Sequence, residues 1–216
     1  MTLPDWLTWH EDYDQPGSPL ALRLAAVQDR IRIALDEAPS GPLRAVSMCA
    51  GQGRDLIGVL ASHPRRDDVT ARLVELDERN AEIARRSAAA AGLNQVQVIT
   101  GDAALTGNYA GMAPAYLVLV CGVLGNISDP DVERTIGYCT QLCAVGGTVV
   151  WTRGRFEPDL VPQVCDWFAD RGFEELWVSE PDVGYGAGAH RFAGTAVPLE
   201  ESAVMFTFTR HGGSKG

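Results

Sequence analysis

The sequence predicts an α/β domain in three layers, a mostly parallel β-sheet with helices on both faces. Three observations carry this. Apolar runs of five to seven residues alternate along the chain with longer segments of helical period. One run, AYLVLVC at Ala115–Cys121, is almost entirely apolar, as a strand buried on both faces requires. The 216 residues, 46% of them hydrophobic, suffice for one substantial core and are too few for two ordinary domains.

The elements follow in order. Ser18-Pro19 reads as a helix start, a hydroxyl cap before a proline whose missing N–H costs nothing in the first turn. Leu20, Leu24, Val27, Ile31 and Leu35 give that helix one apolar face, and Pro39-Ser40-Gly41-Pro42 ends it. LRAVSMC (43–49) is the first strand, followed by a glycine turn and a short helix through DLIGVLA (55–61). ARLVEL (71–76) is the second strand. DERNAEIARRSAAAA (77–91) is a helix of strong formers, with Gly92 as its C-terminal cap. VQVIT (96–100) and AYLVLVC are the third and fourth strands. DPDVERTIGYCTQLC (129–143) is a helix capped by Ser128 or Asp129, and GTVVWT (147–152) is the fifth strand. A helix beginning near Pro162 precedes two late strands, EELWVSE (174–180) and AVMFTFTR (203–210), joined by a glycine-rich loop that contains His190.

A net charge of −10 argues against nucleic acid, whose binders present a basic face to replace condensed counterions. No apolar run approaches the ~20 residues needed to cross a bilayer, so no membrane partner is expected. The opening MTLPDWLTWHEDYD lacks a basic region followed by an apolar block, and five cysteines, an odd number, fit free thiols in a reducing compartment. The expected location is cytoplasmic.

The chemistry concentrates at MCAGQGRD, Met48–Asp55. Gly51 and Gly53 lie at a strand-to-helix junction, at the carboxyl end of the first strand, where sheets of this kind bind ligands. The second strand ends about twenty residues later in Glu75, placed to accept hydrogen bonds from ribose hydroxyls. The neighbouring Asp77 is better suited to capping the next helix. A dinucleotide would want a third glycine three residues after Gly53, where the chain has Leu56. Gly101-Asp102 follows the third strand and offers a carboxylate to an adenine amino group. Together these features suit an adenosine cofactor without a pyrophosphate.

The order AVSMCAGQGRD, LVELD, VITGDA and LVLVCGVLGN resembles the class I S-adenosylmethionine-dependent methyltransferase family, over roughly Leu43 to Arg210. The resemblance implies a Rossmann-like, seven-stranded sheet whose last strand inserts antiparallel, and S-adenosyl-L-methionine as cofactor. It divides the chain into an N-terminal helical lid segment (1–42), a methyltransferase domain (43–211) and a mobile tail (212–216). Ala50, Gly51 and Gly53 would line the methionine part, Glu75 take the ribose, Leu76 lie against adenine, Asp102 and Ala103 meet its edge, and Cys121 and Gly122 sit beside the sulfonium. Cys49, Arg54 and Asn126 complete the expected cofactor set. The chain departs from the family in having Ser47 where an acidic residue is common and Cys49 where a further glycine is. Ser47 supplies no charge to the cofactor's ammonium, which leaves backbone carbonyls near Cys49 and Cys121 to accept it. Ala115-Tyr116 also lacks an acidic residue that the family often has there.

The methyl acceptor is expected to be a small molecule. CGVLGN after the fourth strand lacks the Asn/Asp-Pro-Pro-aromatic motif of nucleic-acid amino methylases, and Cys121 follows Val120 rather than proline. No metal is expected: His10, His63, His190 and His211 are dispersed, and Cys139 and Cys143 share a helix face without a partner nearby in sequence. Asn126, Arg153, Arg155, Tyr185 and Arg191 are candidate acceptor contacts. The catalytic candidates are His190, preferred as a base because a free imidazole titrates near neutrality, with His10 and Tyr13. Two other readings stand beside this one: a binding protein that kept the cofactor pocket without turnover, and an NAD(P)-dependent oxidoreductase on a similar sheet. A monomer or a homodimer fits equally.

Overall fold

The computed structural model describes Tyr13, Gln15 and residues 17–209. Twelve elements build the fold. Helix α1 (Pro19–Asp36) opens with the expected cap, the Ser18 hydroxyl accepting the Ala21 N–H at 3.0 Å. Then come β1 (Leu43–Met48), the short α2 (Leu56–Leu60), β2 (Val69–Glu75), α3 (Glu78–Ala90), β3 (Val96–Thr100) and β4 (Ala115–Val120). The chain continues through α4 (Asp129–Leu142), β5 (Cys143–Arg153), α5 (Val161–Asp170), β6 (Phe173–Val178) and β7 (Gly186–Phe192). Asp77 caps α3 and Ser128 caps α4 through their side-chain oxygens.

The seven strands form one sheet in the order β3-β2-β1-β4-β5-β7-β6. All neighbours are parallel except the pairs that β7 makes with β5 and β6. Strand order reverses between β1 and β4, so the carboxyl ends of β1, β2 and β4 frame the ligand edge of the sheet. One face buries Val46, Met48, Val118, Trp151 and Phe168 beneath α4 and α5. The other buries Ile31, Leu35, Leu60, Leu73 and Ala84 beneath α1, α2 and α3. Among the described residues no helix is long and apolar enough to cross a membrane.

Two expectations are corrected at the C-terminal end. Of the last strand expected at 203–210, the described residues 203–209 form none; Val204 and Phe208 make only isolated bridges, to Leu105 and Ile127. The inserted strand is instead GAGAHRF, expected as a loop. Its glycines fit beneath bulky neighbours: a Cβ on Gly188 would stand 2.5 Å from the Trp151 ring. Low strand propensity is overridden by the packing that only a missing side chain permits. Cys143 likewise starts β5 rather than ending the preceding helix.

Candidate active site

The turn after β1 carries two glycines and one strained residue. Gly51 and Gly53 have φ of 56° and 69°, and Cys49, with a side chain, has φ of 48°. That left-handed conformation disfavours any residue but glycine. A Cβ on Gly53 would lie 2.5 Å from Ile57 Cδ1 and 2.9 Å from Leu73 Cδ2, so this glycine serves helix–strand packing.

Glu75 ends β2 and turns toward the same bend. Its Oε2 accepts the Gly51 N–H at 2.8 Å and its Oε1 accepts the Asp77 N–H at 2.9 Å, with the residue only 9% exposed. Each carboxylate oxygen retains a lone pair for a further donor. The next residue, Leu76, is 68% exposed, an apolar side chain standing free at the ligand edge. Beyond β3, the exposed Asp102 turns its Oδ1 to the Ala104 N–H at 2.9 Å, and the Ala103 carbonyl accepts the Tyr109 hydroxyl at 2.8 Å. Glu75 and Asp102 both act on Cys49, whose thiol is pushed up by burial first and by these charges second. The ends of β1, β2 and β3 therefore share one electrostatic environment.

At the end of β4, Gly122 has φ of 75°, and a Cβ built on it would meet nothing within 4 Å. Its N–H is held by the Thr152 hydroxyl at 2.9 Å. The Asn126 side-chain amide donates to the Gly122 carbonyl at 2.8 Å, so its nitrogen locks the turn instead of facing a ligand. Cys121 is a half-buried thiol pushed up by burial, with Asp55 adding to the shift and Arg23 opposing it. Tyr13 joins this corner. Its hydroxyl accepts from Arg23 at 3.2 Å, and the Arg54 guanidinium stands 5.7 Å from its ring centroid. Burial raises the Tyr13 pKa, and Asp55 and Cys121 push it the same way, so the phenol holds its proton near neutrality. On the helix side of the turn, an opening of about 430 Å³ is lined by Leu24, Gln28, Gln52, Gly53, Arg54 and Ile83, with neither Glu75 nor Gly122 in its lining.

The structure thus brings Cys49, Ala50, Gly51, Gly53, Arg54, Glu75, Leu76, Asp102, Ala103, Cys121, Gly122, Asn126 and Tyr13 to one edge of the sheet. It sends His190 elsewhere. The expected loop histidine is in β7, 1% exposed, with its ring stacked 4.6 Å from Phe168 and its Nδ1 accepting the Trp151 indole N–H at 3.1 Å. Burial holds its pKa down at about 4. An imidazole enclosed in an aromatic core has no access to an acceptor at the strand ends, so His190 is withdrawn as a base. His10 lies outside the described residues.

Arg153 donates to the Leu124 carbonyl at 2.6 Å, and Arg155 ties Asp159 to the Ser179 and Tyr185 carbonyls; both fasten loops at the ligand edge. Arg191 pairs with Glu174 on the exposed side of the sheet. Cys165, Glu175 and His190 offer metal-ligand atoms within 4.8 Å of one another. The Trp151 N–H occupies the Nδ1 lone pair, which leaves the proton of the neutral ring on Nε2 and no lone pair there for a metal. Residues that sequence reading passed over are Arg23, Asp55 and Thr152. Asp55 was legible as a helix start, and its side chain accepts the Leu56 N–H there.

The fold that carries this bend is shared with solved structures. The chain is similar to an O-methyltransferase family protein from Burkholderia thailandensis at 17% identity and a TM-score of 0.59, covering 82% of this chain and 60% of that one. The chain has the class I methyltransferase fold. Two further structures carry it. One is the CurJ carbon methyltransferase (14% identity, TM-score 0.65, 88% of this chain and 59% of that). The other is a TehB-like SAM-dependent methyltransferase from Corynebacterium glutamicum (14% identity, TM-score 0.58, 86% and 99%). The chain spans about 60% of the length of the first two and nearly all of the third. No family model and no curated protein sequence matches it.

The residues at the edge leave three features open to a ligand. Glu75 keeps acceptor capacity, Leu76 offers an uncovered apolar surface, and the space where a Gly122 side chain would be is open. The Ser47 hydroxyl, buried on β1, has no hydrogen-bond partner among the described residues.

Proposed function

We propose that the chain is an S-adenosylmethionine-dependent methyltransferase acting on a small molecule. The observation that supports this reading is the Glu75–Gly51 hydrogen bond, which joins the carboxylate at the end of β2 to the glycine bend after β1. When bound, the cofactor would supply a methyl carbon on a sulfonium sulfur, transferred directly to an acceptor lone pair with a neutral thioether as leaving group. With the carbon already activated, the residues' tasks are alignment and exclusion of water.

In this reading Glu75 holds the ribose, Leu76 covers the adenine, and Asp102 with Ala103 meets its edge. Gly51, Ala50 and Cys49 bound the amino-acid end, and Gly122 leaves room beside Cys121 for the reacting atoms. Tyr13 belongs to the N-terminal lid. Its hydroxyl accepts from Arg23 and keeps its own hydrogen, so it does not take an acceptor's proton. With Tyr13 protonated and His190 enclosed, acceptors that arrive with a free lone pair are favoured.

Calorimetric titration with S-adenosylmethionine, S-adenosylhomocysteine and NAD tests this. Saturable binding of the first two and none of NAD is the expected result. Absence of heat with both sulfur ligands, or tighter binding of NAD, overturns it. Transfer of label from a methyl-labelled donor into pooled metabolites then separates an enzyme from a protein that only binds.

A further inference from the structure

Beyond β4 the ligand edge turns apolar rings outward and its arginines inward. Phe156, three residues past the end of β5, is 78% exposed. Its ring lies over Gly154, where a Cβ would collide with it. Gly154 packs in turn on the loop after β4: a Cβ on Gly125 would stand 3.4 Å from the Gly154 nitrogen. The same loop holds a second ring. Phe208, 41% exposed, bridges to Ile127, and the next residue, Thr209, donates its N–H to the Asn126 carbonyl at 2.9 Å. Both rings therefore stand on segments fastened to the turn that begins at Gly122, where no protein atom fills the place of a side chain. A lone exposed ring needs no explanation, but two at one loop beside an open position do.

The charges of these loops are arranged the other way. Arg153 donates to the Leu124 carbonyl and pairs with Asp129. Arg155 is held by Asp159 and by the Ser179 and Tyr185 carbonyls, which ties the β6–β7 loop to the loop after β5. The exposed charged residues of those two loops are Glu157, Glu180 and Asp182, all acidic.

We propose that Phe156 and Phe208 form the apolar wall that receives the methyl acceptor, and that this acceptor is an apolar small molecule without negative charge. The assignment rests on the methyltransferase reading. The open surface of the rings sets the size of the occupant. A phenylalanine side chain offers about 200 Å², so at these exposures the two rings present roughly 240 Å². A stable protein interface needs about 800 Å² on each partner, so this surface fits a small molecule. Both arginines already meet protein oxygens, and three carboxylates repel an anion, so neither carboxylate nor phosphate recognition is built here.

Calorimetry with 2-naphthol and 2-naphthoate, the same ring system with and without a negative charge, tests this on protein saturated with S-adenosylhomocysteine. Wild type is expected to bind 2-naphthol saturably and about tenfold or more tightly than 2-naphthoate. Phe156→Ala should lose about fivefold or more in 2-naphthol affinity, and Phe156→Leu, which keeps apolar surface, should lose less. Val145→Ser alters an equally exposed apolar site near the start of β5, at the opposite edge, and should lose none. Affinity for S-adenosylhomocysteine should stay within about twofold in all three variants. Absence of 2-naphthol binding, tighter binding of 2-naphthoate, or equal 2-naphthol binding by wild type and Phe156→Ala overturns the proposal. So does an equal loss in Val145→Ser. Each of these outcomes leaves the methyltransferase reading standing where S-adenosylhomocysteine binds; a wild type that does not bind S-adenosylhomocysteine overturns both.

Discussion

The Glu75 carboxylate holds the bend of the adjacent strand directly, with Oε2 2.8 Å from the Gly51 amide nitrogen. The bond crosses from β2 to the loop after β1, so one side chain fixes the position of the glycine turn and presents acceptor oxygens to the cleft. In the function proposed here, stability and ligand affinity are therefore coupled at this residue.

Replacement of Glu75 by Gln tests that coupling. The amide has one oxygen for two backbone donors, Gly51 and Asp77, so one donor faces an NH₂ group. Leaving a buried donor unmet costs about 1–3 kcal/mol. The expected result is a stability loss of that size by urea denaturation, together with a fall of about tenfold or more in S-adenosylhomocysteine affinity. Full retention of both would show that the carboxylate is a bystander.

Gly122 separates backbone strain from occupation of the cleft. Alanine there adopts a left-handed conformation at a cost of about 1–2 kcal/mol but meets no protein atom. Gly146 has φ of 81° and equally open surroundings, away from the ligand edge. Gly122→Ala and Gly146→Ala should lose similar stability in thermal denaturation. Only Gly122→Ala should lose S-adenosylhomocysteine affinity, by at least tenfold in calorimetry.

Cys49 pays for its left-handed φ of 48° whatever its side chain, unless that side chain is absent. Ala keeps the strain and removes the sulfur; Gly removes both. Cys49→Gly is expected to be about 1 kcal/mol more stable than Cys49→Ala by urea denaturation, despite the greater chain entropy of glycine when unfolded. The reverse order would show that the turn holds its shape without strain.

Most of the alternating strands and helices could be read from the sequence because local signals and tertiary packing agree there. Ser18, Asp77 and Ser128 cap the helices they precede, and AYLVLVC is buried on both faces. The C-terminal third was misread where they disagree. AVMFTFTR reads like a strand, but its backbone bonds go to loops and side chains: the Met205 N–H donates to the Ala104 carbonyl at 2.8 Å, the Met205 carbonyl accepts from Arg134 at 2.8 Å and the Thr207 N–H meets Asp131 at 2.9 Å. GAGAHRF lacks strand formers, and its place between β5 and β6 depends on Trp151 filling the space above Gly188. At the sheet edge, Gly51 and Glu75 were singled out by spacing and Gly122 by the resemblance. Arg23 was not, since its bond to the Tyr13 hydroxyl depends on how α1 crosses the sheet.

His190 gives the fold a pH dependence whose sign follows from its burial. Its pKa is held at about 4 in the folded protein by desolvation, against about 6.5 for a free imidazole. Between those values the unfolded chain binds a proton that the folded chain refuses, so stability rises with pH across this window and falls as pH drops from about 6.5 toward 4. The two and a half units correspond to about 3 kcal/mol at most. His190→Gln keeps an acceptor for the Trp151 indole and removes the titration. Urea denaturation at pH 7.5 and pH 5 should show wild type losing more stability on acidification than the variant does. The variant should bind S-adenosylhomocysteine as wild type does at pH 7.5, because the ring sits against Phe168 and Trp151, apart from the strand ends. A variant with intact folding and cofactor binding but lost turnover would return His190 to the chemistry. An unchanged difference between the two pH values would instead assign the acid sensitivity to other groups.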